Sequence, residues 1–246
     1  MKIFIKNKGE IRMIRNKLCR KKVRMLLAGM AACAAIATSA VSNTAYAYDR
    51  EDAVKYASKY WENYNSHYDS FGNDCTNYAS QILCAGGYSV KEIPKKEVSY
   101  ADLGTVYSTK KYWCNKTYTK KFAGVVKKTD FVTTTTWSNV DQLAGSSFYG
   151  LQDYMVTVQG RTRYLWSINE DSIKKLAKKA EKGDIIQIAE ANSRFTHTYV
   201  VGKVKNGKVY VYAHTGNRDA SDNDELEKMR KKKVFEKFTI IALIKA

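Results

Sequence analysis

Apolar side chains recur at three- and four-residue intervals in three stretches of this chain, which is the spacing of an amphipathic helix. The stretches cover residues 48–65, 75–85 and 167–180. The first begins at Asp49, whose short side chain can accept hydrogen bonds from the free amide groups of a helix start. The third opens with the capping-box pattern of residues 167–170 and ends before Gly183. We therefore predict three helices at these positions.

Alternation of apolar and polar residues follows Gly183 and predicts β-strands. Strands are expected at residues 184–188, 196–204, 208–214 and 238–244. Asn206 and Gly207 separate the second strand from the third, and both residue types tolerate positive φ, so a tight hairpin is predicted there. Residues 90–136 have a weaker pattern, and we expect loops and short strands in them. No internal repeat divides the chain, which indicates one domain over residues 48–246.

The first 47 residues have the pattern of a secretory signal peptide. Ten lysines and arginines with one acid, Glu10, precede an apolar run over residues 25–41, and Ala45-Tyr46-Ala47 offers a cleavage motif. We expect this leader to be removed and the protein to be secreted, extracellular and in some association with the cell wall. The run is short and rich in small residues for a membrane span, so we expect no stable span after cleavage. Lipidation of Cys33 is an alternative.

The net charge of the chain limits the kinds of binding partner that we expect. Without the leader the net charge falls from +18 to +9, because the leader carries ten bases and one acid. A basic exported domain favours anionic cell-wall polymers over nucleic acid, since the lysines do not gather in an aromatic-studded stripe. The sequence has no CxxC or HExxH motif, so we expect no metal and no cofactor.

Residues 48–246 contain three cysteines, Cys75, Cys84 and Cys114. An odd number leaves at least one thiol unpaired within the chain, and a bond between Cys84 and Cys114 is left open. Cys75 follows Asn73 and Asp74, either of which can cap the second helix. The free amide groups and the dipole of a helix start favour negative charge, which predicts a lowered pKa for the Cys75 thiol and a nucleophilic role. A small core residue is the alternative.

Two histidines can be placed from the predicted hairpin. With a two-residue turn, Lys205 pairs with Lys208 and Tyr199 pairs with His214. His197 and His214 then lie on one face of the sheet as diagonal neighbours, with Cα atoms roughly 7–8 Å apart. A slip of one residue in the register would put them on opposite faces.

A thiol on a helix and an imidazole on a strand are the parts of an acyl-transfer site. We expect Cys75 to attack a carbonyl carbon, and His197 to take the thiol proton and pass it to the leaving amine. His214 would fix the orientation of His197, with Asn217 or Asp219 as alternatives for this third position.

The oxyanion formed at such a thiol needs hydrogen-bond donors. The backbone amide of Cys75 at the helix start is one. Asn73 and Asp74, the two residues before it, are further candidates for support of the oxyanion or of the third position, as is Asn217.

At these residues the chain resembles the amidase domain family of the papain-like cysteine hydrolase superfamily, a relative of CHAP and other bacterial cell-wall amidases. The likeness rests on short pieces that together span most of residues 48–246. They lie at residues 48–54, 74–81, 137–140, 183–186, 197–201 and 214–218. The most specific pieces are Asp74-Cys75-Thr76-Asn77 and His214-Thr215 followed by Asn217-Arg218.

The resemblance implies a fold and a chemistry. The implied fold is α+β and papain-like, with an N-terminal cysteine-bearing helix packed on an antiparallel β-sheet that carries the histidine. The implied activity is hydrolysis of amide bonds, with bacterial peptidoglycan as the substrate, and Cys75 and His197 are the residues that carry over. Papain has a glutamine six residues before its cysteine, where this chain has Asp69.

Three functions stay open at this point. The first is a secreted cysteine amidohydrolase acting on amide or peptide bonds of the cell wall. The second is a secreted cysteine peptidase acting on a non-wall protein. The third is a non-catalytic wall-binding module in which the Cys75 and His197 pair is vestigial.

Overall fold

The computed structural model describes residues 48–140, 150–190 and 195–246. The predicted signal peptide and Cys33 lie outside these residues. The helices are α1 (Arg50–Tyr60), α2 (Cys75–Ala85), α3 (Thr135–Ser138), α4 (Leu151–Asp153) with a following π-helical turn (Tyr154–Val158), α5 (Glu170–Ala177) and α6 (Leu226–Lys231), with a 3₁₀ turn at Asp222–Asp224. The strands are β1 (Thr105–Tyr107), β2 (Asn115–Phe122), β3 (Val126–Thr134), β4 (Arg163–Ser167), β5 (Ile185–Glu190), β6 (Phe195–Lys205), β7 (Lys208–Ala213), β8 (Arg218–Asp219) and β9 (Phe238–Ile244).

The larger sheet has six strands in the order β4-β9-β5-β6-β7-β8, and each neighbouring pair is antiparallel. Its two faces bury alternate residues of the same strands, as the period of two requires. On one face Ile82 of α2 joins a cluster with Val200 and Tyr212. On the other, residues of α5 and α6 join a cluster with Val201 and Val211. Helices thus cover both faces, and the predicted α+β class is confirmed, with the cysteine-bearing helix on an antiparallel sheet.

The smaller sheet has the order β1-β3-β2, with β1 parallel and β2 antiparallel to β3. The β2–β3 hairpin has strands of eight and nine residues, longer than the short strands expected within residues 90–136. Most of its positions outside the base are exposed or half-buried. An exposed hairpin carries few apolar residues in alternation, so the pattern of hydrophobicity gave little signal.

Two predicted helix boundaries are wrong. α1 ends at Tyr60 instead of residue 65, and the Tyr60 carbonyl accepts a hydrogen bond from His214. The capping box of α5 is formed by Asn169 and Ser172 instead of residues 167–170. Ser167 is the last residue of β4, a strand that was not predicted, and it pairs with β9. The Asp49 cap of α1 is confirmed, since its carboxylate accepts from the amides of the first turn.

The register of the β6–β7 hairpin changes at Gly202. Lys205 pairs with Lys208 as predicted, but a bulge lies between Val201 and Lys203. A Cβ on Gly202 would lie 2.6 Å from a ring carbon of Tyr212, a distance that side chains do not tolerate, so the close approach requires glycine. Beyond the bulge each pairing is displaced by one residue.

The displaced register overturns the predicted placement of the histidines. Val200 pairs with Tyr212, so the pairing of Tyr199 with His214 is wrong by one residue. His197 and His214 therefore lie on opposite faces of the sheet. The ring contacts agree, because His197 packs on Tyr199 of one face and His214 stacks on Tyr78 of α2, which covers the other face.

The three cysteines at residues 75, 84 and 114 are free thiols in the structure. Within the part of the chain that the structure describes, no helix is long and apolar enough to cross a membrane.

Candidate active site

Cys75 is the first residue of α2, which is held between the larger sheet and α3. The ring of Tyr78, one turn further along α2, stacks on His214 at the end of β7, with ring centroids 3.8 Å apart and planes 8° apart. On the other side, Ser80 Oγ donates to the carbonyl of Trp137 in α3 at 2.7 Å. These contacts fix the direction in which the start of α2 points.

Asp74 fastens the turn that leads into α2. Its Oδ1 accepts from the backbone amide of Phe71 at 2.9 Å and from the side-chain amide of Asn77 at 2.8 Å. Its Oδ2 lies 2.6 Å from Nδ1 of His214, and its backbone amide donates to Oγ1 of Thr215 at 3.0 Å. Both carboxylate oxygens are engaged, so the predicted capping of α2 by the Asp74 side chain is wrong. The first amides of α2 keep the partial positive charge of an uncapped helix start.

His214 has both ring nitrogens engaged. Nδ1 faces Asp74, and Nε2 lies 2.6 Å from the carbonyl oxygen of Tyr60. The carbonyl can only accept, so Nε2 carries a proton and donates it to Tyr60, and one further proton is shared between Nδ1 and the carboxyl group of Asp74. Asp74 and His214 thus form a buried hydrogen-bonded pair, with side chains 0% and 2% exposed. Neither nitrogen is free to orient His197, and the third position expected of His214 is wrong for this geometry.

Cys75 and His197 line one cavity of about 340 Å³. The loop before α2, the residues at the end of α3, the start of β6 and the segment after β7 form its wall. The other lining residues are Asn73, Thr76, Ser138, Asn139, Val140, Phe195, Thr196 and Thr215. The structure therefore brings the predicted nucleophile and the predicted base to one site, although they are more than a hundred residues apart in sequence.

Burial controls the protonation of the thiol. Cys75 is 5% exposed, and desolvation raises the pKa of its thiol above the ordinary value, with a smaller contribution from the charge of Asp74. Backbone hydrogen bonds at Thr198 and Thr76 and the Thr76 hydroxyl act in the opposite direction, but they are the weaker effects. The predicted lowering of the pKa by the helix start is therefore wrong.

His197 is neutral near pH 7. Burial, followed by the positive charge of Arg218, lowers the pKa of its imidazole to about 4. Its ring packs edge-on against Tyr199, with centroids 4.4 Å apart. The cavity therefore holds a neutral thiol and a neutral imidazole, a pair in which the imidazole can accept a proton.

The structure places the other predicted site residues at different distances from the cavity, and one of the three lines its wall. Asn73 lines the cavity, where its side-chain amide is a candidate oxyanion donor. Asn217 is exposed in the turn between β7 and β8, with φ of 32°. Asp219 lies in β8, where it pairs with Tyr212 of β7, and its carboxylate accepts a hydrogen bond from the Ser221 amide at 2.9 Å.

Two polar residues at the site were not predicted. Thr198 follows His197 in β6, and its hydroxyl lies 2.9 Å from that of Thr76 on α2. The side-chain amide of Gln187 in β5 donates to the hydroxyl of Thr198 at 3.1 Å. These three buried polar side chains fix β6 against α2. The sequence carried a signal, because Thr198 is a small polar residue directly before the apolar run Tyr199-Val200-Val201.

Asn139 is the other addition, from the segment that follows α3. Its carbonyl accepts from the amide of Leu151 and its own amide donates to Thr135, so its backbone is fixed at the cavity wall. Among the described residues, no group of three or more His, Cys, Asp or Glu side chains is arranged to hold a metal ion.

We expect Asp74→Ala to lower the free energy of unfolding by about 3 kcal/mol, because the polar groups of His214, Phe71 and Asn77 that Asp74 satisfies would lose their partner. Urea unfolding followed by circular dichroism measures the change. Glu181→Ala is the control, since the Glu181 side chain is 59% exposed in its ion pairs with Arg50 and Lys245, and its loss is expected to cost about 1 kcal/mol or less. Equal losses in the two variants would contradict a stabilising role of the buried Asp74 contacts.

Comparison with known proteins places this site in a family. A family model described as "Putative amidase domain" matches residues 47–238, which include every residue of the cavity wall. Uncharacterized protein YhbB of Bacillus subtilis (strain 168) is 44% identical over 52 residues, which are 21% of this chain and only 17% of the length of YhbB. No solved structure matches the chain. Because the family model covers most of the sequence, the chain belongs to the putative amidase domain family.

Proposed function

We propose that this protein is a secreted cysteine amidohydrolase in which Cys75 is the nucleophile and His197 is the general base and acid. The observation that supports the proposal most strongly is the cavity shared by these two side chains. Membership of the putative amidase domain family supports an amide as the bond to be cleaved. A neutral imidazole in the same cavity as a neutral thiol is suited to removing the thiol proton during attack, without a thiolate formed beforehand.

In the first half of the reaction an amide carbonyl of the substrate lies against Cys75. The sulfur bonds to the carbonyl carbon while His197 takes the thiol proton, and the carbonyl oxygen becomes an oxyanion. The backbone amide of Cys75 at the uncapped start of α2 stabilises this oxyanion, and the side chain of Asn73 is placed at the same wall to assist. The C–N bond then breaks, His197 gives its proton to the leaving amine, and a thioester remains on Cys75.

In the second half a water molecule replaces the amine. His197, neutral again, takes a proton from the water as its oxygen bonds to the thioester carbon. The C–S bond breaks, the proton returns to the sulfur, and the carboxylic acid product leaves. The net change is one amide and one water converted to one acid and one amine.

We propose bacterial peptidoglycan as the substrate class. The resemblance to cell-wall amidases, the leader pattern of residues 1–47 and the net charge of +9 over residues 48–246 support a site of action at an anionic cell surface. The polar cavity wall, with Asn73, Ser138 and Asn139, suits a peptide with hydrogen-bonding main-chain groups.

The test is release of new amino groups from purified peptidoglycan by the wild-type protein, Cys75→Ala and His197→Ala. We expect Cys75→Ala to abolish release, and His197→Ala to reduce it by about 10²–10⁴-fold, because proton transfer is lost. Cys84→Ala is the matched control, since Cys84 lies outside the cavity wall, within 3.9 Å of the Tyr68 hydroxyl, and should retain activity.

Other results would exclude the proposal. Wild-type protein that binds peptidoglycan, releases no amines from it and binds equally as Cys75→Ala would be a wall-binding module. Cleavage of an unrelated protein such as casein, with no action on peptidoglycan, would identify a peptidase with another target.

The lowered pKa of His197 predicts that kcat/KM falls only at an unusually low pH. Because kcat/KM requires the neutral imidazole, it should rise with pH through a pKa of about 4 and be at its plateau by pH 6. Arg218→Gln removes a positive charge that opposes protonation of His197, so the acid limb should shift to higher pH. Arg230→Gln, which removes a cation bonded to Glu227 in α6, should leave the limb in place.

The profile is measured with one amide substrate from pH 3 to 8. A wild-type acid limb at the ordinary histidine value of about 6.5, or an identical limb in Arg218→Gln, would contradict the assignment of His197 as a half-buried neutral base.

A further inference from the structure

The tip of the β2–β3 hairpin is a run of five residues without a polar side chain, residues 122–126. All five are exposed, and the exposed fractions of Phe122, Val125 and Val126 are 62%, 82% and 52%. The ring of Phe122 packs on that of Tyr100, with centroids 5.6 Å apart, but most of this apolar surface faces water, which is unfavourable. Such an exposed apolar feature indicates a surface that another partner covers.

Two lysines flank this tip on each strand. The antiparallel register places Lys121 opposite Lys127 and Lys120 opposite Lys128. Like charges directly opposite each other destabilise a hairpin. Lys120 donates to the carbonyl of Lys95, and Lys128 lies 3.4 Å from a carboxylate oxygen of Asp130, while Lys121 and Lys127 are exposed. The charge pattern costs stability in the free protein and becomes favourable beside an anionic surface.

We propose that the hairpin tip docks the protein on a bilayer that contains anionic lipids. Val125 and its apolar neighbours would enter the boundary between headgroups and acyl chains, and the flanking lysines would lie at the level of the lipid phosphates. An anionic polysaccharide or polyphosphate could satisfy the lysines, but it offers no apolar layer to receive five apolar residues. The combination therefore favours a lipid surface.

The position of the hairpin determines how far from the membrane the segment leading to the cavity would lie if the tip docked there. β3 runs from the tip to Thr134, and α3 follows directly and leads to Asn139 at the cavity wall. The nine residues of β3 span roughly 25–30 Å at the rise of a β-strand. A protein docked by this tip would hold Thr134, where β3 ends and the segment leading to the cavity wall begins, within that distance of the membrane.

The chain contains a second hairpin that serves as an internal control. In the β6–β7 hairpin Lys205 is paired with Lys208, so it also carries two opposed lysines. Its tip is Asn206-Gly207, which has no apolar side chain. If variants in the two hairpins change membrane binding by different amounts, the difference is due to the β2–β3 tip and not to the general positive charge of the protein.

The experiment is co-sedimentation of the full chain with two kinds of vesicle, one of phosphatidylcholine alone and one of equal parts phosphatidylcholine and phosphatidylglycerol. We expect binding to the anionic vesicles. Val125→Asp, at a side chain that contacts nothing in the core, and the double variant Lys121→Gln with Lys127→Gln should each weaken this binding about tenfold or more. Lys205→Gln with Lys208→Gln should leave it unchanged within about twofold.

Each alternative has its own result. No binding to anionic vesicles would overturn the proposal, as would equal weakening by both lysine pairs, which would show diffuse charge attraction. Binding that is unaffected by Val125→Asp and is competed by soluble polyglutamate would assign the lysines to an anionic polymer instead of a bilayer. Because every readout is binding, the result is independent of the proposed hydrolysis.

Discussion

The buried hydrogen bond between Asp74 and His214 is the interaction on which the site depends. It joins the turn before α2 to the end of β7, and His214 extends the connection to the end of α1 through the Tyr60 carbonyl. The hydroxyl of Thr215 accepts a further hydrogen bond from the amide of Asp74. Removing one partner of such a buried pair costs more than the hydrogen bond itself contributes, because a polar group is left unsatisfied in an apolar interior. The position of Cys75 is thus set by two side chains that lie outside the cavity wall.

The electrostatics of the cavity follow from burial more than from the helix. A helix start stabilises a nearby negative charge by about 0.3–1 kcal/mol when exposed, and by up to about 2 kcal/mol in favourable buried geometries. Full burial can shift a pKa by about 3–5 units, and each unit corresponds to about 1.4 kcal/mol. Desolvation therefore dominates at Cys75, and it acts in the opposite direction on the basic His197. The result is an uncharged thiol and an uncharged imidazole in one cavity near pH 7.

The sequence predicted the parts of the site better than their connections. Regular spacing identified the cysteine helix, and the Asn206-Gly207 turn identified the hairpin, because both signals are local. The bulge at Gly202 depends on the packing of Tyr212 against the neighbouring strand, which no local pattern contains, and that one residue moved His214 to the other face. The long β2–β3 hairpin was missed for a related reason, since its exposed strands carry lysine and threonine where a buried strand would alternate.

The polar residues near Cys75 show the same difference between local signals and contacts made only in the folded chain. Asn73 was found because it precedes Cys75 in sequence, whereas Thr198 and Asn139 reach the site through the sheet and through α3. The resemblance to amidases marked residues 137–140 and, in β6, His197 with Val200 and Val201, but it assigned no role to Asn139 and did not include Thr198. Both residues are far from Cys75 in sequence and approach it only in the folded chain, so no local pattern connects them with the thiol.

We propose that Cys75 carries the acyl group during hydrolysis, and this can be measured by mass spectrometry of an acid-quenched reaction with peptidoglycan fragments. The peptide containing Cys75 is expected to gain the mass of the acyl fragment as a thioester, which hydroxylamine removes. The peptides containing Cys84 and Cys114 should stay unmodified. Hydrolysis that proceeds undiminished in Cys75→Ala, with no adduct on Cys75 in the wild-type protein, would contradict it.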